Sequence, residues 1–232
     1  MMFPVVILSG GLGTRIKSKS KNQPKALLDI EGKPFIVRQL EHLSLQKIKK
    51  VIICTGYLGD QIEKVIGNGS AYNISVEYSF DGKVLLGTGG SIKKALHKLG
   101  EFFFILYGDS YLPISFKKVQ DTFLKKKTSA LMTIYKNVSK YDQSNVYYQN
   151  KTIIYNKEKS VPEMKYIDYG LSLVNKKIFN EFIKNDIFDL SEVFNYLSEN
   201  STLDVMEIYD RFYEVGSEKG LIDTINYFKK KK

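Results

Sequence analysis

The chain of 232 residues is 43% hydrophobic and 26% charged, so it can build a substantial core and is not a disordered protein. No apolar stretch reaches the roughly 20 residues that a membrane span needs. The first apolar run is not preceded by the basic segment that is typical of a signal peptide. The single cysteine excludes an internal disulfide. The net charge of +10 comes from lysines that are spread along the chain and not interleaved with aromatic residues, which favours small phosphorylated ligands over nucleic acid.

The first predicted element, the apolar run 5–8, ends in a glycine-rich loop that carries Arg15. The run is β-branched and has the length of a buried parallel strand. Glycine lets the backbone bend sharply and approach a ligand. Free N–H groups and a guanidinium suit phosphate oxygens. Because the loop matches neither the P-loop nor the dinucleotide-binding pattern, we interpret it as a nucleotide-phosphate site of another kind.

Strand and helix patterns alternate through the first half of the chain. Apolar spacing predicts helices over 34–43, 60–66 and 89–99, and strands over 50–55, 74–79 and 102–106. This order predicts a Rossmann-like three-layer α/β/α fold with a mixed, mostly parallel sheet. Ligands of such sheets bind beyond the carboxyl ends of the strands, which is where the glycine loop and Gly108-Asp109 fall.

The second half has less regular patterns. They predict helices over 117–126, 176–183, 190–198 and 218–228, and strands over 130–135, 146–149, 152–156, 169–174, 203–206 and 212–215. The strands 146–149 and 152–156 form a predicted hairpin that turns at Asn150-Lys151. Because no repeat or linker divides the chain, we expect one domain over residues 1–232. Because neither a membrane span nor a signal peptide is indicated, we expect it to be cytoplasmic and not attached to a membrane.

Two further features have chemical meaning. The cluster Gly87-Thr88-Gly89-Gly90 opens a predicted helix, whose first N–H groups suit polar or anionic ligands. Asp109 follows a predicted strand, where a carboxylate can face a metal–phosphate complex. Taken alone, each feature is equally typical of an ordinary turn. Cys54 lies in an apolar run and is expected to be an inert core residue.

Two motifs in sequence resemble the signature of the sugar-1-phosphate nucleotidyltransferases, also called nucleotide-sugar pyrophosphorylases. They are Leu8-Ser9-Gly10-Gly11-Leu12-Gly13-Thr14-Arg15 and Pro24-Lys25-Ala26-Leu27-Leu28, which match in order, spacing and residue type. Later segments extend the resemblance over nearly the whole chain. It implies the nucleotide-diphospho-sugar transferase fold and a reaction between a nucleoside triphosphate and a sugar 1-phosphate that yields an NDP-sugar and pyrophosphate.

On the nucleotide side, the resemblance implies a role for each matched residue. Arg15 and the loop amides would hold the β- and γ-phosphates, and Lys25 would stabilise charge around the α-phosphate. The loop Leu86-Gly87-Thr88 would touch the base and the sugar. The implied nucleotide-binding residues are Leu8, Gly10, Gly11, Gly13, Thr14, Gly87 and Thr88.

The resemblance also implies residues for the sugar phosphate and for a magnesium ion. Lys157 would bind the phosphate, with Lys159 as the alternative, and Asp168 would hold sugar hydroxyls. Asn156 and Gly170 belong to the same two segments. Asp109 would hold Mg²⁺, together with Glu214, which stands where the family often has an aspartate. The extra methylene of glutamate moves the carboxylate by about 1.5 Å.

The substrate pair and two other classes of function stay open. Leu85 stands where uridylyl-transferring members often have a glutamine, and the segment 85–90 resembles the branch that makes GDP-linked heptose or mannose. This favours GTP, with CTP and UTP as alternatives. Glu214 supports a second hypothesis, a nucleotide-sugar-binding regulator without turnover. A third hypothesis is a basic nucleic-acid-binding module. The sequence leaves a homo-oligomer open.

Overall fold

The buried run Val5–Leu8 forms the central strand β1 in the computed structural model, which describes residues 1–11, 23–138, 140–181 and 185–231. The other strands are β2 (Lys50–Thr55), β3 (Ser75–Phe80), β4 (Phe102–Tyr107), β5 (Ser110–Tyr111), β6 (Ala130–Lys136), β7 (Val146–Gln149), β8 (Thr152–Tyr155), β9 (Tyr166–Asn175), β10 (Leu203–Ile208) and β11 (Tyr213–Glu214). Nine of these strands form one sheet, while β5 and β11 pair separately.

The large sheet has the order β10-β6-β9-β4-β1-β2-β3, and the β7–β8 hairpin pairs with β9. Strand β1 is parallel to both of its neighbours, β2 and β4. Strand β9 is antiparallel to β4 and β6. The expected mixed, mostly parallel sheet is therefore confirmed, and the predicted strand 74–79 forms β3 at one edge of the sheet.

Helices cover both faces of the sheet. They are α1 (Phe35–Leu45), α2 (Gly59–Ile66), α3 (Gly87–Ala95), α4 (Phe116–Lys126), α5 (Lys177–Glu181), α6 (Leu190–Glu199) and α7 (Glu218–Lys229). Val5 and Ile7 join a buried cluster with α1, α2 and α4, whereas Val6 joins a second cluster with α3, α5 and α6. Because successive strand residues face opposite sides, β1 supplies both cores, and the three-layer fold is confirmed.

The local sequence patterns predicted these helices and strands, but some of the predicted ends differ from the observed ones. The predicted helix 89–99 begins earlier, at Gly87, and ends at Ala95, where a 3₁₀ turn over Leu96–Lys98 follows. The hairpin turns at Asn150 and Lys151, which have φ angles of 50° and 67°. The end of the predicted helix 176–183 lies outside the described residues.

The small sheet of β5 and β11 brings distant parts of the chain together. Glu214 pairs with Ser110, directly after Asp109. The N–H of Val215 donates to the carbonyl of Asp109 at 2.9 Å. Helix α7 then packs over this sheet through a third buried cluster. Two carboxylates more than 100 positions apart along the chain therefore become neighbours.

Two expectations about the rest of the chain can be compared with the structure. Among the described helices, none has the length and apolar composition to cross a membrane. Cys54 is buried, and this burial raises the pKa of its thiol to about 12. The thiol is therefore protonated at neutral pH, as expected for an inert core residue.

Candidate active site

A cavity of about 530 Å³ opens at the carboxyl ends of β1 and β4. This is the place where open α/β sheets bind their ligands. The described residues that line it include most of the predicted site: Leu8, Gly10, Gly11, Lys25, Gly87, Thr88, Asp109, Lys157, Asp168, Gly170 and Glu214. The fold therefore brings residues from distant segments to one cavity.

Four of the predicted site residues are not among the described residues that line this cavity. Gly13, Thr14 and Arg15 lie outside the described residues. Asn156 is described but does not line the cavity; its side-chain oxygen accepts hydrogen bonds from the N–H groups of Glu158 and Lys159 at 3.0 and 2.7 Å. Asn156 therefore shapes the turn that carries Lys157.

One end of the cavity combines a lysine with two carboxylates. Lys25, which opens a 3₁₀ turn after Pro24, has its Nζ 3.9 Å from Oδ2 of Asp109. Its side chain is 17% exposed, so the ammonium has a short range of accessible positions. A cation and a carboxylate side by side suit a phosphate that carries a metal ion.

Asp109 and Glu214 both direct a carboxylate oxygen toward the space beside Gly216. A Cβ built at Gly216 would lie 2.9 Å from Oδ2 of Asp109 and 2.9 Å from Oε2 of Glu214. The two oxygens are thus no farther apart than twice that distance, around a position that only glycine leaves open. Magnesium prefers oxygen ligands, and one or two carboxylates with phosphates commonly hold it. This donor set fits Mg²⁺.

Glu214 also has a second set of contacts. Its Oε2 accepts hydrogen bonds from the N–H of Gly216 and, at 2.9 Å, from the N–H of Ser217, and its Oε1 accepts one from Ser217 Oγ. Ser217 is the N-cap of α7, where the helix dipole favours an anion. The long side chain of glutamate therefore stabilises the start of α7, and its role as a metal ligand stays a prediction.

The other end of the cavity is built around Asp168 on β9. Its carboxylate accepts hydrogen bonds from the hydroxyl of Tyr107 at 3.0 Å and from the N–H of Gly170 at 2.9 Å. Burial raises the pKa of Asp168 to about 6, although both hydrogen bonds and the charge of Lys157 oppose the rise. A carboxylate held in this way can accept hydrogen bonds from sugar hydroxyls.

Lys157 occupies the side of the cavity next to Asp168. Its Nζ lies 3.5 Å from Oδ1 of Asp189, and its side chain is about half exposed. Lys159, the alternative considered from sequence, is exposed and does not line the cavity. Of the two lysines, the geometry favours Lys157 as the phosphate ligand.

The second glycine cluster has an unexpected packing role. The N–H groups of Gly89 and Gly90 both donate to the carbonyl of Phe188, at 3.0 and 3.2 Å. A Cβ at Gly90 would lie 2.1 Å from the carbonyl oxygen of Asp186, and one at Gly89 would overlap the Phe188 ring. These two helix-start amides therefore bind the segment 186–189, and only Gly87 and Thr88 face the cavity.

Sequence reasoning missed several lining residues, among them Asp81, Tyr107, Asn145 and Asp189. Asp81 follows β3 and accepts hydrogen bonds from Ser91 Oγ at 2.6 Å and from the N–H of Leu86 at 3.2 Å, which ties the loop before α3 to the sheet. The position of Asp81 directly after a predicted strand could have indicated a site residue. For Asp189, the three-residue spacing to Glu192 could have indicated a capping box at the start of a helix.

Comparison with protein families gives a match over almost the whole chain. The family model described as "Nucleotidyl transferase" matches residues 4–225. This range contains both glycine clusters and both carboxylates, Asp109 and Glu214, at the Lys25 end of the cavity.

Two relatives of known name also match this chain over most of its length. A D-glycero-alpha-D-manno-heptose 1-phosphate guanylyltransferase from Campylobacter jejuni is 34% identical over 198 residues, covering 84% of this chain and 85% of the relative. A protein of the same name from Aneurinibacillus thermoaerophilus is 31% identical over 220 residues, covering 94% and 91%.

Solved structures share the architecture. HddC from Yersinia pseudotuberculosis, crystallised in complex with GMP-PN, aligns with a TM-score of 0.82 and 27% identity over 98% of this chain and 100% of that one. A putative glucose-1-phosphate thymidylyltransferase from Bacillus anthracis aligns with a TM-score of 0.85 and 19% identity over 97% and 94%, which is a likeness of fold alone.

Proposed function

The chain belongs to the nucleotidyl transferase family and is a sugar-1-phosphate nucleotidyltransferase, and we propose that its substrates are GTP and a heptose 1-phosphate. The observation that carries the substrate proposal is the match to two heptose 1-phosphate guanylyltransferases over at least 84% of the chain. One continuous domain over residues 1–232 is part of the proposal, because the large sheet runs from β3 to β10 through both halves.

The two ends of the cavity have separate roles in the proposed reaction. A phosphate oxygen of the sugar 1-phosphate attacks the α-phosphorus of GTP in line, and pyrophosphate leaves. Such a displacement depends on positioning and on charge neutralisation. Lys25 stabilises the charge that develops at the α-phosphate, and Lys157 holds the attacking phosphate against repulsion by the triphosphate. Arg15 is proposed to hold the β- and γ-phosphates.

Asp109 is proposed to hold Mg²⁺, with Glu214 as its neighbour across Gly216. When bound, the ion would neutralise negative charge on the triphosphate. The groups of the chain provide the rest: Lys25 orients the α-phosphate, and Asp168 orients the sugar through its hydroxyl groups.

A panel of substrates tests this proposal. Pyrophosphate release is measured with GTP, CTP, UTP and ATP, each combined with heptose 1-phosphate, mannose 1-phosphate and glucose 1-phosphate. We expect the largest kcat/KM for GTP with heptose 1-phosphate. A larger value with another base or sugar would overturn the substrate assignment, and no release with any pair would favour a regulator without turnover.

Replacing Lys157 by alanine tests the sugar-phosphate end. We expect Lys157→Ala to raise the KM for the sugar 1-phosphate by roughly 10–100-fold, since a charged hydrogen bond contributes about 1.5–3 kcal/mol. The KM for GTP should change little. Lys159→Ala is the matched control and should leave both constants within about twofold. The reverse pattern, with Lys159 as the sensitive residue, would contradict the assignment.

The raised pKa of Asp168 predicts a pH dependence at the same end. The carboxylate is ionised above pH 6 and accepts hydrogen bonds from the sugar, whereas below pH 6 it becomes protonated. The KM for the sugar 1-phosphate should therefore rise as the pH falls through 6.

Asp168→Asn provides the control for the substrate, whose own phosphate also titrates near pH 6. The ratio of the KM of this variant to that of the wild type should be large at pH 8 and should approach one near pH 5. A ratio that is independent of pH would show that the ionised carboxylate does not bind the sugar.

A further inference from the structure

Asp189 lines the cavity and contacts both Thr88, at the start of α3, and Lys157, after β8. Its Oδ2 accepts a hydrogen bond from Oγ1 of Thr88 at 3.0 Å. Its Oδ1 accepts one from the N–H of Ser191 at 2.8 Å and lies 3.5 Å from Nζ of Lys157. One carboxylate thus joins three segments: the loop Leu86-Gly87-Thr88 at the start of α3, which is called the base loop below, the turn after β8, and the start of α6.

The carboxylate of Asp189 is held in place from several sides. Asp189 is the N-cap of α6, and Glu192 completes a capping box by accepting a hydrogen bond from the N–H of Asp189 at 3.0 Å. The N–H of Leu190 donates to Oγ1 of Thr88 at 2.8 Å. The carbonyl of the preceding Phe188 binds two amides of α3. These contacts leave the carboxylate little freedom.

Asp189 is also ionised at neutral pH. Burial by itself raises its pKa, but the hydrogen bonds from Ser191, the charge of Lys157 and the hydroxyl of Thr88 outweigh burial and lower the pKa below its usual range. A fixed negative charge therefore faces the ammonium of Lys157. A free lysine side chain has about 2 kcal/mol of rotamer entropy, so a fixed partner restricts the positions that its ammonium samples.

We propose that Asp189 is a positioning residue, which holds the Lys157 ammonium at a fixed place relative to the base loop and so aligns the attacking phosphate with the triphosphate. The proposal rests on the function proposed above. In-line attack depends on this alignment, since a misplacement of about 1 Å can cost on the order of 100-fold in rate. Asp189 touches neither substrate in this role. Thr88 and Ser191 hold its carboxylate in place, and it acts through the ammonium of Lys157.

The first test is Asp189→Asn, measured by steady-state kinetics with GTP and heptose 1-phosphate. Asparagine caps a helix as well as aspartate does. Its oxygen can accept from the N–H of Ser191 while its NH2 group donates to Oγ1 of Thr88, so the unfolding midpoint should stay the same. We expect kcat to fall on the order of tenfold, which is the loss of an interaction that acts in the transition state. The KM for the sugar 1-phosphate should stay equal or fall, because a negative charge beside the phosphate is gone.

Asp186→Asn is the matched control. Asp186 is in the same segment, and its carboxylate forms an exposed ion pair with Lys93 at 3.0 Å. The side chain of Asp186 lies away from the cavity lining in the described structure, and exposed pairs contribute little to stability. Its kcat and both KM values should equal those of the wild type.

A double variant separates positioning from general structural support. Because Asp189 acts through the ammonium of Lys157, Asp189→Asn should not lower kcat further in a Lys157→Ala background. If Asp189→Asn lowers the unfolding midpoint, Asp189→Ser, which keeps a capping oxygen without the charge, is measured in its place and should give the same pattern.

Two results would overturn the positioning role. One is a wild-type kcat for the Asp189 variant, and the other is a loss in the double variant that equals the product of the two single losses. Failure of the proposed function would be seen in the wild-type protein, which would release no pyrophosphate. Failure of the positioning role would be seen only in the variants of an active protein, so the two failures are distinguishable.

Discussion

Asp109→Asn is expected to lower kcat by at least about 10²–10³, the range that is typical when a stabiliser of developing charge is removed. Asp109 has its Oδ2 2.9 Å from the Cβ position that Gly216 leaves open, and 3.9 Å from Nζ of Lys25. Asparagine keeps the shape of the side chain but loses the charge that a divalent cation requires. Activity should be measured over a magnesium titration, at saturating GTP and sugar 1-phosphate.

Binding of Mn²⁺ in the presence of GTP, followed by electron paramagnetic resonance, gives a readout that does not depend on turnover. The affinity should fall in Asp109→Asn. Retention of wild-type Mn²⁺ affinity and magnesium half-saturation in this variant would show that Asp109 is not a metal ligand.

Glu214 provides the informative comparison with Asp109. We expect Glu214→Asp to raise the magnesium requirement and to lower kcat by less than Asp109→Asn does. The shorter side chain also loses contact with the N–H groups of Gly216 and Ser217, so the unfolding midpoint should fall as well. An unchanged magnesium requirement with a lowered midpoint would assign Glu214 to α7 alone.

Lys25→Met should lower kcat by about 10²–10³ with a smaller effect on either KM. Methionine keeps most of the aliphatic stem of the 17% exposed lysine side chain, so the fold should be retained. The loss would arise because the ammonium neutralises charge that develops at the α-phosphate during displacement.

Lys33→Met is the control for Lys25→Met. Lys33 forms an exposed ion pair with Glu41 outside the cavity, and its replacement should leave kcat unchanged. Equal kcat values for Lys25→Met and the wild type would remove Lys25 from the chemical step.

The sequence predicted the order of the main elements because their cause is local. The run 50–55 is apolar and β-branched, and it forms β2 over the predicted residues. The resemblance to a family added the pairing of Asp109 with Glu214 at one site, and the structure brings these two carboxylates together. Neither the composition nor the periodicity of the chain contains that long-range information.

Other features depend on contacts that local patterns do not report. The strands β5 and β11 have two residues each, too few for a period, so β5 was not predicted. The amides of Gly89 and Gly90 were expected to suit a ligand, but they bind the carbonyl of Phe188. The group that approaches these glycines belongs to a segment about 100 residues later in the chain. Thr88 and Asp189, which are joined by a hydrogen bond, have a similar separation along the chain.

The central claim is that a phosphate oxygen of the sugar substrate attacks the α-phosphorus of GTP. Heptose 1-phosphate labelled with ¹⁸O at its three non-bridging phosphate oxygens is incubated with GTP and the wild-type protein, and the products are analysed by mass spectrometry. The account predicts a GDP-sugar that retains all three labelled oxygens, with unlabelled pyrophosphate. Labelled oxygen in the pyrophosphate, or consumption of GTP without a GDP-sugar, would contradict it.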